Sequence, residues 1–142
     1  MGFVTKIKIL LVDDNRTFLT AVRNFLAQVP DVEVVAEAYD GCMALELAAR
    51  LSPDLVLMDI AMPGMNGLDA AHALNAFARP PQIVFLSMHD GASYRDAAND
   101  LGARGFVGKS EFVADLIPLI AALVSDLRLQ NASAVEVLHA AS

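Results

Sequence analysis

The sequence predicts an α/β protein built on a doubly wound, five-stranded parallel sheet, (βα)5, in strand order 2-1-3-4-5. Short apolar runs alternate five times with segments of helical spacing, and such alternation builds a parallel sheet covered by helices on both faces. The chain has 142 residues, 56% of them hydrophobic, which suits one domain around one well-filled core. Right-handed crossovers make this strand order the economical arrangement.

Strands are read at IKILLV (7–12), VEVVAEA (32–38), DLVLM (54–58), QIVFLS (82–87) and RGFVG (104–108). Each is a short apolar run bounded by turn or charged residues. The first helix carries Phe18, Ala21, Val22, Phe25, Leu26 and Val29 on one face, the i, i+3, i+4, i+7 spacing of an amphipathic helix. Ala44, Leu47, Ala48 and Leu51 repeat the spacing, as do Tyr94, Ala97, Ala98 and Leu101. An alanine-rich helix near 67–78 is less cleanly striped. The fifth helix is marked by Leu116, Leu119, Ile120, Leu123, Val124 and Leu127. Asp115 as its N-cap would put Pro118 in the first turn, where proline is tolerated. Residues 5–127 form the expected domain, and 128–142 a C-terminal tail or the start of a linker.

The formal net charge is −7, with 17 acidic against 10 basic residues. Direct binding of nucleic acid is not expected, because it relies on Lys and Arg neutralising phosphates. The acidity suits a basic partner or a bound cation. No apolar stretch reaches the roughly 18 residues that suggest a membrane span. The first residues run into an Asp pair rather than a cleavage site, so a cytoplasmic location is expected. The single cysteine, Cys42, cannot form an internal disulfide; it lies in a helical pattern and is read as packing. His72, His89 and His139 lack metal-ligand spacing, and Met58, Met62, Met65 and Met88 are read as core and loop packing.

In a sheet of this order all strands end on one side, and ligands bind there. The first strand ends in Asp13-Asp14, the third in Asp59 and the fourth in Ser87, while the fifth leads to Lys109. Burying an ionised carboxylate is expensive unless something pairs with it. Two like charges about 4 Å apart repel by roughly 4 kcal/mol at an effective dielectric of 20. Three carboxylates against one ammonium therefore call for a hard divalent cation with oxygen ligands, for which Mg²⁺ is suited.

The motifs LLVDDN, LVLMDIAMPGMNG, VFLSMH and GARGFVGKS, in that order, resemble those of the receiver domain of two-component response regulators, with its flavodoxin-like receiver fold. The wording of DVEVVAEAYDG, DIAMPGMNG and LSMHD is similar to receivers that carry a helix-turn-helix output domain. The resemblance implies that Asp59 accepts a phosphoryl group from a histidine kinase or a histidine phosphotransfer protein. Asp14, Asp59 and the Ala61 carbonyl would bind Mg²⁺, with Asp13 acting through water. Lys109 would grip the phosphoryl group and Ser87 would close on it. Phe106 stands at the aromatic position that turns inward in the family, which makes Ser87 and Phe106 the expected switch. The resemblance implies a signalling role rather than an enzyme, in a phosphorelay that regulates transcription, and it admits a homodimer. The family often has proline after the lysine, with a cis bond; here Ser110 follows, and a trans bond is expected.

An Asp-nucleophile phosphatase of haloacid dehalogenase type uses a similar set of groups. It needs a second acid two residues after the nucleophile, where this chain has Ala61. GARGFVGKS has one residue too many between Gly102 and Gly108 for a phosphate-binding loop. No second apolar domain follows Leu127, so this chain alone is not expected to bind DNA specifically.

Overall fold

The computed structural model describes residues 6–88 and 92–141, with the side chains of 92–93 and 130–141 left aside. Five strands, β1 (Ile7–Val12), β2 (Val32–Ala38), β3 (Leu55–Asp59), β4 (Gln82–Ser87) and β5 (Gly105–Gly108), alternate with helices. These are α1 (Arg16–Leu26), α2 (Gly41–Leu51), α3 (Gly67–Leu74), α4 (Ala92–Asp100) and α5 (Phe112–Ala141). The sheet is parallel, in the order β2-β1-β3-β4-β5.

Side chains alternate across a strand, so each strand feeds two cores. Ile7, Ile9 and Leu11 of β1 pack with Leu19, Val22 and Leu26 of α1 and with Leu116, Ile120 and Leu123 of α5. Leu10 and Val12 face the other way, toward Ala44 and Ala48 of α2, Ala70, Ala71 and Leu74 of α3, and Ala98 of α4. All five residues of β3 are buried, as a central parallel strand covered on both faces requires. The edge strands β2 and β5 are only partly covered.

Three helices begin where a side chain accepts a backbone N–H: Asn15 from Phe18, Asp40 from Met43 and Asn66 from Asp69. Each satisfies one of the donors a helix start leaves unpaired. The fifth helix departs from expectation. A single 3₁₀ turn, Lys109–Glu111, leads straight into α5 at Phe112, so Asp115 is not the cap and Pro118 lies inside the helix. Pro118 has no N–H for the Ala114 carbonyl. Both residues are exposed, so water can reach the carbonyl that the ring leaves unbonded. α5 carries on through residues 128–141. Cys42 is exposed on α2 rather than packed. Met58 and Met62 are buried, whereas Met88 is 73% exposed. His72 is exposed, and His89 and the side chain of His139 lie outside the described residues. Among the described residues every peptide bond is trans, Lys109–Ser110 included.

Candidate functional site

Strand register brings the acids together. Val12 pairs with Met58, so the next residue of each chain segment, Asp13 and Asp59, emerges side by side at the carboxyl edge. Asp14 follows Asp13 and is exposed. One carboxylate oxygen from each of Asp13, Asp14 and Asp59 lies within 4.8 Å of the others. Leu86 pairs with Asp59 and Ser87 with Gly108, which puts Ser87 beside Asp59 and Lys109 directly after the end of β5.

Among the described residues the buried polar or charged residues are Asp13, Asp59, Ser87 and Lys109. Burying such groups is costly, and a fold that confines them to one place has organised them there. The Lys109 ammonium is the common partner. Its Nζ lies 2.6 Å from Asp13 Oδ2 and 3.5 Å from Asp59 Oδ1. Asp13 is held from the other side, its Oδ1 accepting the Asn15 N–H at 2.9 Å. Burial pushes the Asp59 carboxyl up from 3.8 to about 6; the Asp13 charge adds to this, Lys109 opposes it, and a hydrogen bond to Asp13 and the Asp14 charge raise it further.

The loop after Asp59 is closed at its base, where the Gly67 N–H donates to the Ile60 carbonyl at 2.8 Å. A Cβ on Gly67 would lie 2.1 Å from the Asp59 carbonyl oxygen, so no larger residue fits and α3 can start against the strand end. Gly64, with φ of 75°, makes the turn at the loop's exposed tip. Ala61 is exposed in this loop, and it presents no acid two residues after Asp59. Phe106 is half-buried on β5 and packs on the α2–α4 side of the sheet, with the Arg95 guanidinium 4.6 Å over its ring.

Two neighbours of the site were not singled out by the sequence reading as site residues. Phe18 was counted as a core residue of α1, yet Lys109 Nζ lies 4.7 Å from its ring centroid. Asn15 both caps α1 and holds Asp13; the signal for it is an Asn directly after the acidic pair and before a helical stripe. One ammonium leaves three carboxylates with an excess of negative charge. The set offers a divalent cation oxygen donors of the kind it prefers, with Asp14 on the open side.

Comparison with known proteins places the chain in a family. Residues 9–121 match the response regulator receiver domain family. The transcriptional regulatory protein DegU of Brevibacillus brevis is 39% identical over 112 residues, covering 79% of this chain and 47% of DegU. A protein-glutamate methylesterase/protein-glutamine glutaminase of Shewanella frigidimarina is 42% identical over 104 residues, or 72% of this chain and 26% of that protein. The structure of a two-component response regulator of the LuxR family from Aurantimonas sp. SI85-9A1 superposes with a TM-score of 0.80 at 32% identity, covering 86% of this chain and 87% of that one. The chain spans about half the length of DegU and about a quarter of the methylesterase. With the family match over most of the chain and the fold in agreement, the chain belongs to the response regulator receiver domains of two-component systems.

Proposed function

We propose that this receiver is a phosphorylation switch whose acceptor is Asp59. The observation that carries the reading is the confinement of the buried polar side chains to one cluster, with Asp59 between Asp13 and Lys109. The donor is the phosphohistidine of a histidine kinase or a histidine phosphotransfer protein. An Asp59 oxygen attacks phosphorus, the new O–P bond forms as the donor N–P bond breaks, and the electron pair leaves with the imidazole, which is protonated. With its carboxyl pushed up only to about 6, Asp59 is largely ionised at neutral pH and so nucleophilic.

Asp14, Asp59 and the Ala61 carbonyl would hold Mg²⁺, with Asp13 acting through water, and the ion would neutralise charge on the phosphoryl oxygens. Lys109 is near enough to Asp59 to turn from Asp13 onto a phosphoryl oxygen, which is electrostatic stabilisation by a group already in place. Ser87 donates its hydroxyl to another of those oxygens. Phe106 then moves inward; lacking a hydroxyl, it leaves no polar group unpaired when buried. The natural setting is a cytoplasmic phosphorelay, of which control of transcription is one output, with residues 5–127 as the receiver unit and 128–142 leading on from it. Similar identity to a transcriptional regulator and to a methylesterase leaves the output to whatever accompanies the receiver.

Acetyl phosphate with Mg²⁺ should add one phosphoryl group, read by intact mass, and either EDTA or Asp59→Asn should abolish it. Undiminished labelling of the Asn variant overturns the assignment of the acceptor. The Ser87→Ala variant should still be labelled, yet lose the phosphorylation-dependent change in hydrogen exchange across residues 94–112. A response equal to wild type would remove Ser87 from the switch.

A further inference from the structure

Besides the carboxylates of Asp13 and Asp59, the Lys109 ammonium meets an aromatic ring. That ring is Phe18, its centroid 4.7 Å from Nζ. The face of an aromatic ring attracts a cation through its quadrupole, more strongly when the pair is shielded from water, and Lys109 is buried. The ring is itself fixed from two directions. Its backbone N–H is held by the Asn15 side chain at 3.0 Å, and Asn15 in turn binds Asp13. The ring also makes an edge-to-face pair with Phe112, with centroids 5.3 Å apart and planes at 73°. Phe112 meets Phe25 in the same edge-to-face manner at 5.5 Å. These are favoured geometries for aromatic pairs.

We infer that Phe18 is a positioning residue for Lys109: its ring is an uncharged wall that aims the ammonium at the phosphoryl site. The chemistry suits the task. A third carboxylate at that place would hold the ammonium more tightly and compete with the phosphoryl oxygens for it. An aliphatic side chain would exclude water without attracting the charge. A π face does both, and its weaker hold leaves Lys109 free to turn from Asp13 to the incoming group. The inference rests on the function proposed above, because it assigns Phe18 a part in the same transfer.

The test compares Phe18→Leu with Phe18→Tyr in the full chain, using acetyl phosphate and Mg²⁺. Leu keeps an apolar side chain that packs, whereas Tyr keeps the π face. The maximal labelling rate of Phe18→Leu should fall roughly three- to tenfold at an unchanged half-saturating acetyl phosphate concentration, and Phe18→Tyr should restore it. In proton NMR the ε-methylene of Lys109 should be shifted upfield by the ring in wild type and Phe18→Tyr, and not in Phe18→Leu. A wild-type labelling rate in Phe18→Leu, or a slow rate that Tyr does not restore, overturns the positioning role. Failure of wild type to be labelled at Asp59 overturns the proposed function instead, so the two failures are distinguishable.

Discussion

Asp54 and Asp59 stand at the two ends of β3, one just before the strand and one as its last residue, and the fold treats them oppositely. Asp54 is tied into the sheet. Its carboxylate accepts the Lys8 N–H at 2.8 Å, its own N–H donates to the Lys8 carbonyl, and its carbonyl accepts from Gln82. It acts as a clasp joining three strands at the amino edge. Asp59 is buried among two further acids, with a single ammonium that lies nearer to Asp13 than to it. An open cleft of about 480 Å³, lined by Ala48, Pro53, Phe77 and Arg79 among others, lies at the Asp54 end. The reactive end is marked by its crowded charges, three carboxylates gathered around one ammonium.

That contrast can be broken by substitution. Asp54→Ala has the largest expected effect on stability, a loss of about 1–3 kcal/mol, because it strands the Lys8 N–H. Asp59→Asn should act in the opposite direction and stabilise the fold by roughly 1 kcal/mol at neutral pH, with solvent screening allowed for. Urea denaturation of both variants checks the signs, and a destabilised Asn variant would mean that Lys109 more than offsets the crowding.

A smaller effect sharpens the comparison through pH. The Asp59 carboxyl is raised in the folded protein from 3.8 to about 6, so the folded state binds the proton more tightly than the unfolded chain does. Between those two values stability falls as pH rises. The penalty is full above about 6 and absent below 3.8. The stability gap between Asp59→Asn and wild type in the absence of divalent cations should therefore be constant above pH 6 and close as pH falls toward 4. A gap that stays level across this window would place the origin of the stabilisation elsewhere.

Much of this was legible in the sequence for an identifiable reason. Apolar runs such as QIVFLS and IKILLV coincide with β4 and β1, because strands covered on both faces are mostly apolar, with the polar Gln82 and Lys8 only partly buried near the amino edge. The polar residue after each run could likewise be read as lying on one sheet edge, since parallel topology sends all strand ends the same way. Helix ends were harder. The stripe of α5 starts at Leu116, but the helix starts four residues earlier, because Phe112 and the preceding 3₁₀ turn are set by packing against α1 rather than by a capping residue. Cys42 shows the converse. A place in a helical pattern does not tell which face it occupies, and this one faces water. The contact between Phe18 and Lys109 joins residues far apart in the chain. Periodicity within one helix says nothing of what a different strand end will place against it.

The hydrogen bond from Gly67 to Ile60 has a bearing on how receivers can be re-engineered. It makes residues 61–66 a cassette held by a clip, with the clip's hydrogen bond made entirely by the backbone and its fit guaranteed by the missing Cβ of Gly67. The exposed members of the cassette, Ala61, Pro63 and Gly64, face solvent beside the strand end that carries Asp59, while the clip ties the two ends of the loop together. Side chains can thus be exchanged at Ala61 and Pro63, with Gly64 kept glycine for its backbone angle, Met62 kept apolar for the core and Asn66 kept as the cap of α3, and the carboxylate beneath would keep its place. Position 67 itself is not exchangeable, which makes a single atom's absence a fixed point beneath the exposed tip of the loop.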